Sequence, residues 1–267
     1  MKNKKVAVIG GNGYLGKHVT KYFDADPYSR SNGFDMTNEY DVRILSDYDV
    51  IIHMGALVDK NHLNYDSVLK TNILGVEKVA RVLNSEQVLI FTSTKEVHRR
   101  DIKRSAYAFS KRLCEESIIS FSEDLGYRAG IFRLSTTYAP SENGGNFVNR
   151  FVRDIKDNKV IVLKERGRQI RDLLYVEDLS RAFKSFIECD KIKVATFEIG
   201  GGPDNATSFV GLIGTIGDVL DKDIFVKLSG ERVEKDEKEY VTDIHDISQY
   251  LNWIPLVGIR EGIEKLV

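Results

Sequence analysis

Four consecutive apolar residues, Val6-Ala7-Val8-Ile9, run directly into Gly10-Gly11-Asn12-Gly13-Tyr14-Leu15-Gly16. This combination constrains the chain more than any other feature. The apolar run has the length of a buried strand, and Tyr14–Phe23 behind the glycines has a helical pattern. The loop satisfies both G-x-G-x-x-G and G-x-x-G-x-x-G spacing. Between a strand and a helix, glycine allows a tight turn and lets the backbone approach a pyrophosphate, while the helix start supplies N–H groups and positive dipole. Gly10, Gly13, Tyr14, Leu15 and Gly16 are therefore candidate contacts to a dinucleotide.

An acidic residue about 20 positions on ordinarily serves the ribose hydroxyls. Asp35 stands there by count, with Asp24 and Asp26 as rivals. The intervening stretch is compressed, so the second strand must be short, about Tyr28–Ser31. Arg30 at its end offers the opposite chemistry, a guanidinium for a 2′-phosphate. NAD and NADP both remain open at this level.

Further apolar runs alternate with helical patterns. Strands are predicted at Asp49–Met54, Val88–Phe91 and Arg128–Leu134, and helices at Tyr65–Leu83 and Ala106–Leu125, the latter closed by Gly126. Continuous apolar strands between helices predict an α/β fold of Rossmann type, a doubly wound parallel sheet covered on both faces. After Pro140 the texture changes to a turn-rich segment. Short strands at Val160–Leu163, Phe197–Gly200 and Phe225–Leu228, with helices at about 147–157, 177–189 and 207–220, predict a small C-terminal α/β region. The expected division is a dinucleotide-binding domain over 1–140, rejoined by segments at about 170–200, and a substrate-binding region mainly over 141–267.

Composition narrows the classes further. A net charge of −1 with 30% charged residues gives no pull toward nucleic acid or a membrane surface. No apolar run reaches membrane-spanning length, and the basic N-terminus lacks a signal-peptide core. Cys114 and Cys189 show no metal-ligand spacing, and two thiols suit a reducing compartment. His18, His53, His62 and His245 have no acid or cysteine at ligand spacing, so no metal is expected. The cytoplasm is the expected location.

The strand Val88–Phe91 leads into Thr92-Ser93-Thr94, and the next helix carries Tyr107 and Lys111. Residues four apart on a helix share a face. A lysine charge beside a phenol lowers its pKa and equips it to exchange a proton with a hydroxyl or carbonyl. A hydroxyl at the neighbouring strand's carboxyl end orients the same oxygen.

With these segments together, the chain resembles the extended short-chain dehydrogenases/reductases, the NAD-dependent epimerase/dehydratase family acting mostly on nucleotide sugars. Beyond the glycine loop, Phe34-Asp35-Met36-Thr37 resembles the family's D-x-T segment, His53-Met54-Gly55-Ala56 its strand end under the cofactor, and Thr71–Gly75 its N-x-x-G helix. Ser93–Val97 resembles S-[ST]-x-x-V, Phe132-Arg133 with Tyr138-Ala139-Pro140 the L-R-x-x-N-x-Y-G-P turn, Arg171–Asp178 the R-D-[FY]-[IV]-[YH]-V-x-D segment, and Leu251–Pro255 L-G-W-x-P. The resemblance implies Thr94, Tyr107 and Lys111 as the catalytic set, and Arg30, Asp35, Met54, Gly55, Ala56, Asn72 and Thr92 at the cofactor with the loop, Tyr107 and Lys111. It implies Lys95, Glu96, Thr136, Asn146 and Arg171 on the substrate side, a nucleotide-diphosphate sugar as substrate, and a homodimer paired through the helices Tyr65–Leu83 and Ala106–Leu125.

The departures narrow the chemistry. Dehydratases of the family usually place an acid pair after the catalytic threonine, but here it is Lys95-Glu96, and lysine does not replace aspartate as a general acid. Thr136 and Glu198 each stand where the family often has Asn. The loop Arg99–Arg104 is short and basic, facing either an anionic substrate or solvent, and Arg171 meets either substrate phosphate or an internal acid. The expected activity is nucleotide-sugar epimerisation or 4-keto-sugar reduction, with Tyr107 as acid/base. Dehydration, or dinucleotide-binding regulation without turnover, is the alternative.

Overall fold

The structure is a computed structural model that describes residues 4–58, 64–98, 105–142, 144–232 and 237–267. The chain divides into two compact units, one of Met1–Leu134 with Ser180–Glu198 and the other of Ser135–Leu179 with Ile199–Val267.

The first unit is built on a six-stranded sheet. In chain order its strands are β1 (Val6–Ile9), β2 (Asp26–Tyr28), β3 (Val50–His53), β4 (Val88–Thr94), β5 (Arg128–Leu134) and a last strand, Val194–Ile199. Their spatial order is β2-β1-β3-β4-β5 and then the last strand, and the pairings from β2 to β5 are all parallel. Every residue of β1, β3 and β4 is buried, as a sheet covered on both faces requires. After β1 the chain builds β2 on one side and β3 on the other. The carboxyl ends of β1 and β3 thus flank the point where strand order reverses, the place where open α/β sheets hold ligands.

The local elements differ from the sequence expectation in three informative places. β2 ends at Tyr28, and Arg30–Asn32 form a 3-10 turn where a strand to Ser31 is predicted. β4 continues through Thr92-Ser93-Thr94, so these hydroxyls belong to the sheet edge itself. The predicted helix Tyr65–Leu83 is interrupted: Tyr65–Leu69 leads into a π-turn at Lys70–Leu74, and α-helix resumes at Gly75–Arg81. By contrast, the helix Ala106–Leu125 has its predicted bounds. The Ser105 side chain caps its start by accepting from Ala108 N (3.1 Å), and Gly126 ends it at φ 86°.

In the second unit, Ile170–Tyr175 is the central strand. It pairs antiparallel with Ala206–Ser208 and parallel with Thr136–Tyr138 and Glu239–Tyr240. Ile161–Leu163 and Val226–Leu228 form a separate two-stranded sheet. Asp178 organises this unit's interior. Its carboxylate accepts from Leu256 N (3.1 Å) and Val257 N (2.9 Å), while its carbonyl accepts from the Trp253 indole (3.0 Å). The two late segments singled out in the sequence therefore bind each other.

Candidate active site

The glycine loop joins β1 to helix α1 (Gly16–Phe23). Gly10 lies at φ +81°, and a Cβ there would sit 2.7 Å from Gly55 N. A Cβ on Gly16 would fall 2.0 Å from Gly10 O. Gly10 thus lets the turns after β1 and β3 touch, and Gly16 lets the start of α1 close onto its own loop. Gly13 has another role: it is exposed and lines a cavity of about 320 Å³ bounded also by Tyr28, Arg30, Met36 and Ala56. The N-cap position of α1 is Leu15, with no side-chain cap and no acid in the first turn, so no carboxylate competes with an anion at the positive end of the helix. Bare backbone, uncapped helix start and adjoining cavity fit a dinucleotide.

Asp35 does not line that cavity. Its carboxylate accepts from Thr37 N (2.9 Å) and Thr37 Oγ1 (2.8 Å), bonds that hold the group below its ordinary pKa and fix a local turn. One oxygen of the Asp35 carboxylate, Oδ1, is thus committed to that turn. Asn72 is likewise committed inside the protein. Its amide accepts from Leu57 N (2.7 Å) and donates to Leu57 O (3.0 Å) and Ser110 Oγ (2.9 Å), so it pins the segment after β3 that carries Met54, Gly55 and Ala56.

Thr94 closes β4, and its hydroxyl accepts from Glu96 N (3.3 Å). Lys95 and Glu96, both half-buried, occupy a 3-10 turn directly after it. Across from them Tyr107 and Lys111 stand one helical turn apart on Ala106–Leu125. The Lys111 ammonium is buried, lies 4.3 Å from the Phe91 ring centroid, and donates to Thr92 O (2.5 Å). Burial lowers its pKa to about 8. The Tyr107 phenol is pushed upward, first by burial and then by the Glu96 and Cys114 charges. The sequence expectation was a phenol depressed by its lysine. Here the lysine is drawn to the Thr92 carbonyl and lies 5.9 Å from the Tyr107 ring centroid.

A network that sequence reasoning missed braces this edge. Ser93 donates to Glu115, and Arg133 grips Glu115 through Nε (3.0 Å) and Nη2 (2.7 Å). Arg133 also reaches Glu198 (3.2 Å), which pairs with His98 at 2.6 Å. The signal was Glu198 standing where the family often has Asn. His53, at the end of β3, is buried with neither ring nitrogen hydrogen-bonded, and burial lowers its pKa to about 3.

In the second unit, Asn146 caps the helix Phe147–Lys156 by accepting from Val148 N (3.0 Å) and donates to Thr137 O (2.9 Å). Thr136 starts a half-buried strand position. Arg171 is buried and donates to Ile170 O (2.6 Å) and Glu237 O (2.8 Å). A cavity of about 560 Å³ beside it is lined instead by Arg166, Arg168, Arg232 and Lys238, with Glu165 and Glu239. Glu165 and Arg166 hold the left-handed conformation at φ 48° and 56°, a strain that concentrates at binding sites. Sequence reasoning did not select these arginines, although Arg166, Arg168 and Arg171 are closely spaced. The basic loop Arg99–Arg104 and His62 lie outside the described residues.

Residues 6–200 match the model of the NAD dependent epimerase/dehydratase family. The chain is 24% identical over 304 residues to UDP-glucuronic acid decarboxylase 6 of Arabidopsis thaliana, covering 98% of this chain and 87% of that one. Among solved structures it is similar to a UDP-N-acetylglucosamine 4-epimerase from Methanobrevibacter ruminantium M1 in complex with UDP-N-acetylmuramic acid (TM-score 0.87, 21% identity, 99% and 98% coverage). It is also similar to a UDP-glucuronic acid 4-epimerase from Bacillus cereus in complex with UDP-glucuronic acid and NAD (TM-score 0.81, 18% identity, 98% and 97% coverage).

Proposed function

The chain belongs to the NAD-dependent epimerase/dehydratase family, and on that premise we propose that it is an NAD(P)-dependent nucleotide-sugar epimerase or 4-keto-sugar reductase. The observation that carries this reading is Thr94 closing β4 with Tyr107 and Lys111 one turn apart on the following helix, in the unit that carries the glycine loop. The bound dinucleotide supplies a hydride acceptor or donor. The protein's residues manage the proton. Tyr107 takes a proton from, or gives one to, the sugar oxygen, and Thr94 hydrogen-bonds that oxygen. Lys111, held by Thr92 O, favours the ionised phenol once it turns toward the ring.

In reduction, the ketone carbon accepts hydride and its oxygen takes the Tyr107 proton. In epimerisation, oxidation precedes reduction on the opposite sugar face. The Lys95 ammonium beside Thr94 disfavours the acid step of a dehydration. Four basic side chains around the second unit's cavity complement a nucleoside diphosphate. The protein works in the cytoplasm, where its two free thiols stay reduced. It does so as a homodimer paired through the helices around Tyr65–Arg81 and Ala106–Leu125.

The test is turnover of a panel of UDP-, CDP- and GDP-sugars with either dinucleotide. Product chromatography and nicotinamide absorbance would be followed for the native protein and Tyr107→Phe. Loss of kcat by about 10²–10⁴-fold in the variant is expected; unchanged turnover would remove Tyr107 from the reaction.

A further inference from the structure

A dinucleotide site chooses between a free 2′-hydroxyl and a 2′-phosphate at the carboxyl end of the second strand. A carboxylate there accepts from the hydroxyls and repels the phosphate, whereas a guanidinium does the reverse. Three aspartates are near enough in sequence to be the carboxylate, and none lines the cavity beside the glycine loop. Asp26 accepts from the Tyr48 hydroxyl (2.7 Å). Asp35 is engaged by Thr37. Asp24 is the left-handed C-cap of α1, at φ 49°.

The cavity is lined at that end by Ser29, Arg30 and Ser31, with Asn12 of the glycine loop opposite. The Asn12 amide donates to Ser29 Oγ (2.8 Å) and Ser31 Oγ (3.0 Å), and the two hydroxyls lie 2.8 Å apart. Two hydroxyls and an amide are thus gathered next to a guanidinium. Arg30 is exposed and makes no salt bridge among the described residues. The carboxylate that feels its charge is Asp35.

We infer that this chain selects the 2′-phosphorylated dinucleotide, NADP(H). Arg30 binds the phosphate, Ser29 and Ser31 donate to its oxygens, and Asn12 positions the two serines. The inference rests on the dinucleotide-dependent reading above and specifies its cofactor.

Titration calorimetry on the purified full-length chain, freed of small molecules and without sugar, tests it. NADP⁺ is expected to bind at least about tenfold more tightly than NAD⁺, with 2′,5′-ADP competing better than 5′-ADP. The advantage should shrink as salt is raised. Arg30→Ala should weaken NADP⁺ about 10–100-fold and leave NAD⁺ within about twofold. Because Arg30 is exposed, the variant should keep the native circular dichroism. Equal or tighter binding of NAD⁺, or equal loss of both in Arg30→Ala, overturns the NADP assignment and leaves the oxidoreductase reading standing. If neither dinucleotide binds, both fall together.

Discussion

The Lys111 ammonium donates to the Thr92 carbonyl oxygen at 2.5 Å, tying the helix Ala106–Leu125 to the edge of β4 at the point where Thr94 ends the strand. The lysine that serves the candidate chemistry is thus also a buried structural bond, and its burial has a thermodynamic signature. Its folded pKa is about 8 against 10.5 for the free side chain. Between those values the unfolded chain keeps a proton that the folded chain has released, so stability rises with pH across the window. The slope is at most roughly 1.4 kcal/mol per pH unit. In urea unfolding across that window, the stability of the native protein relative to Lys111→Met should grow as pH rises, since groups common to both cancel in the difference. A constant difference between the two would contradict a depressed lysine.

Asn72→Leu should be costly although the two side chains are similar in size. The change strands Leu57 N–H and C=O, each worth about 1–3 kcal/mol when buried without a partner. Because Leu57 follows Gly55 and Ala56 along the cavity, dinucleotide affinity should fall with stability. Stability loss without any change in the dinucleotide Kd would separate Asn72 from the cofactor loop.

Asp178→Ala should loosen the second unit around the chain's single tryptophan. The carboxylate accepts from two backbone N–H groups, and charge-assisted bonds of this kind contribute about 1.5–3 kcal/mol each. Trp253 is 1% exposed, so its emission should shift to longer wavelength as water enters. Asp178→Asn, which keeps one acceptor oxygen, should fall between. An unshifted Trp253 spectrum in Asp178→Ala would show that the backbone bonds are dispensable.

Elements read from local rules alone came through the sequence clearly. Ala106–Leu125 carries its own start and stop signals in Ser105 and Gly126, while β1, the first three residues of β3 and the first four of β4 are continuous apolar runs. The π-turn at Lys70–Leu74 was illegible because the apolar pattern continues through it. What sets it apart is tertiary, with the Asn72 carbonyl receiving Cys114 Sγ at 3.5 Å. Asp35 was favoured by counting residues from the glycine loop, but counting cannot show that Thr37 bonds one oxygen of its carboxylate twice. Arg171 stood out by motif, whereas the cavity is lined by Arg166, Arg168 and Arg232, residues brought together by two distant segments. The Ser93–Glu115–Arg133–Glu198–His98 chain was hidden for the same reason, since its members come from four separate stretches of sequence.

The first unit is discontinuous, and this sets an order of events during synthesis. When Leu134 leaves the ribosome, β5 already has β4 on one side, but its other edge has no partner until Val194–Ile199 arrives after the whole insertion Ser135–Leu179. For that interval Ala129, Ile131 and Phe132, fully buried in the finished protein, sit along an open strand edge. An open apolar edge invites pairing with another nascent chain. Slowing translation between residues 135 and 194 should therefore lower soluble yield more than an equal pause after Ile199. The vulnerability is absent from the finished fold and belongs only to the moment of its making.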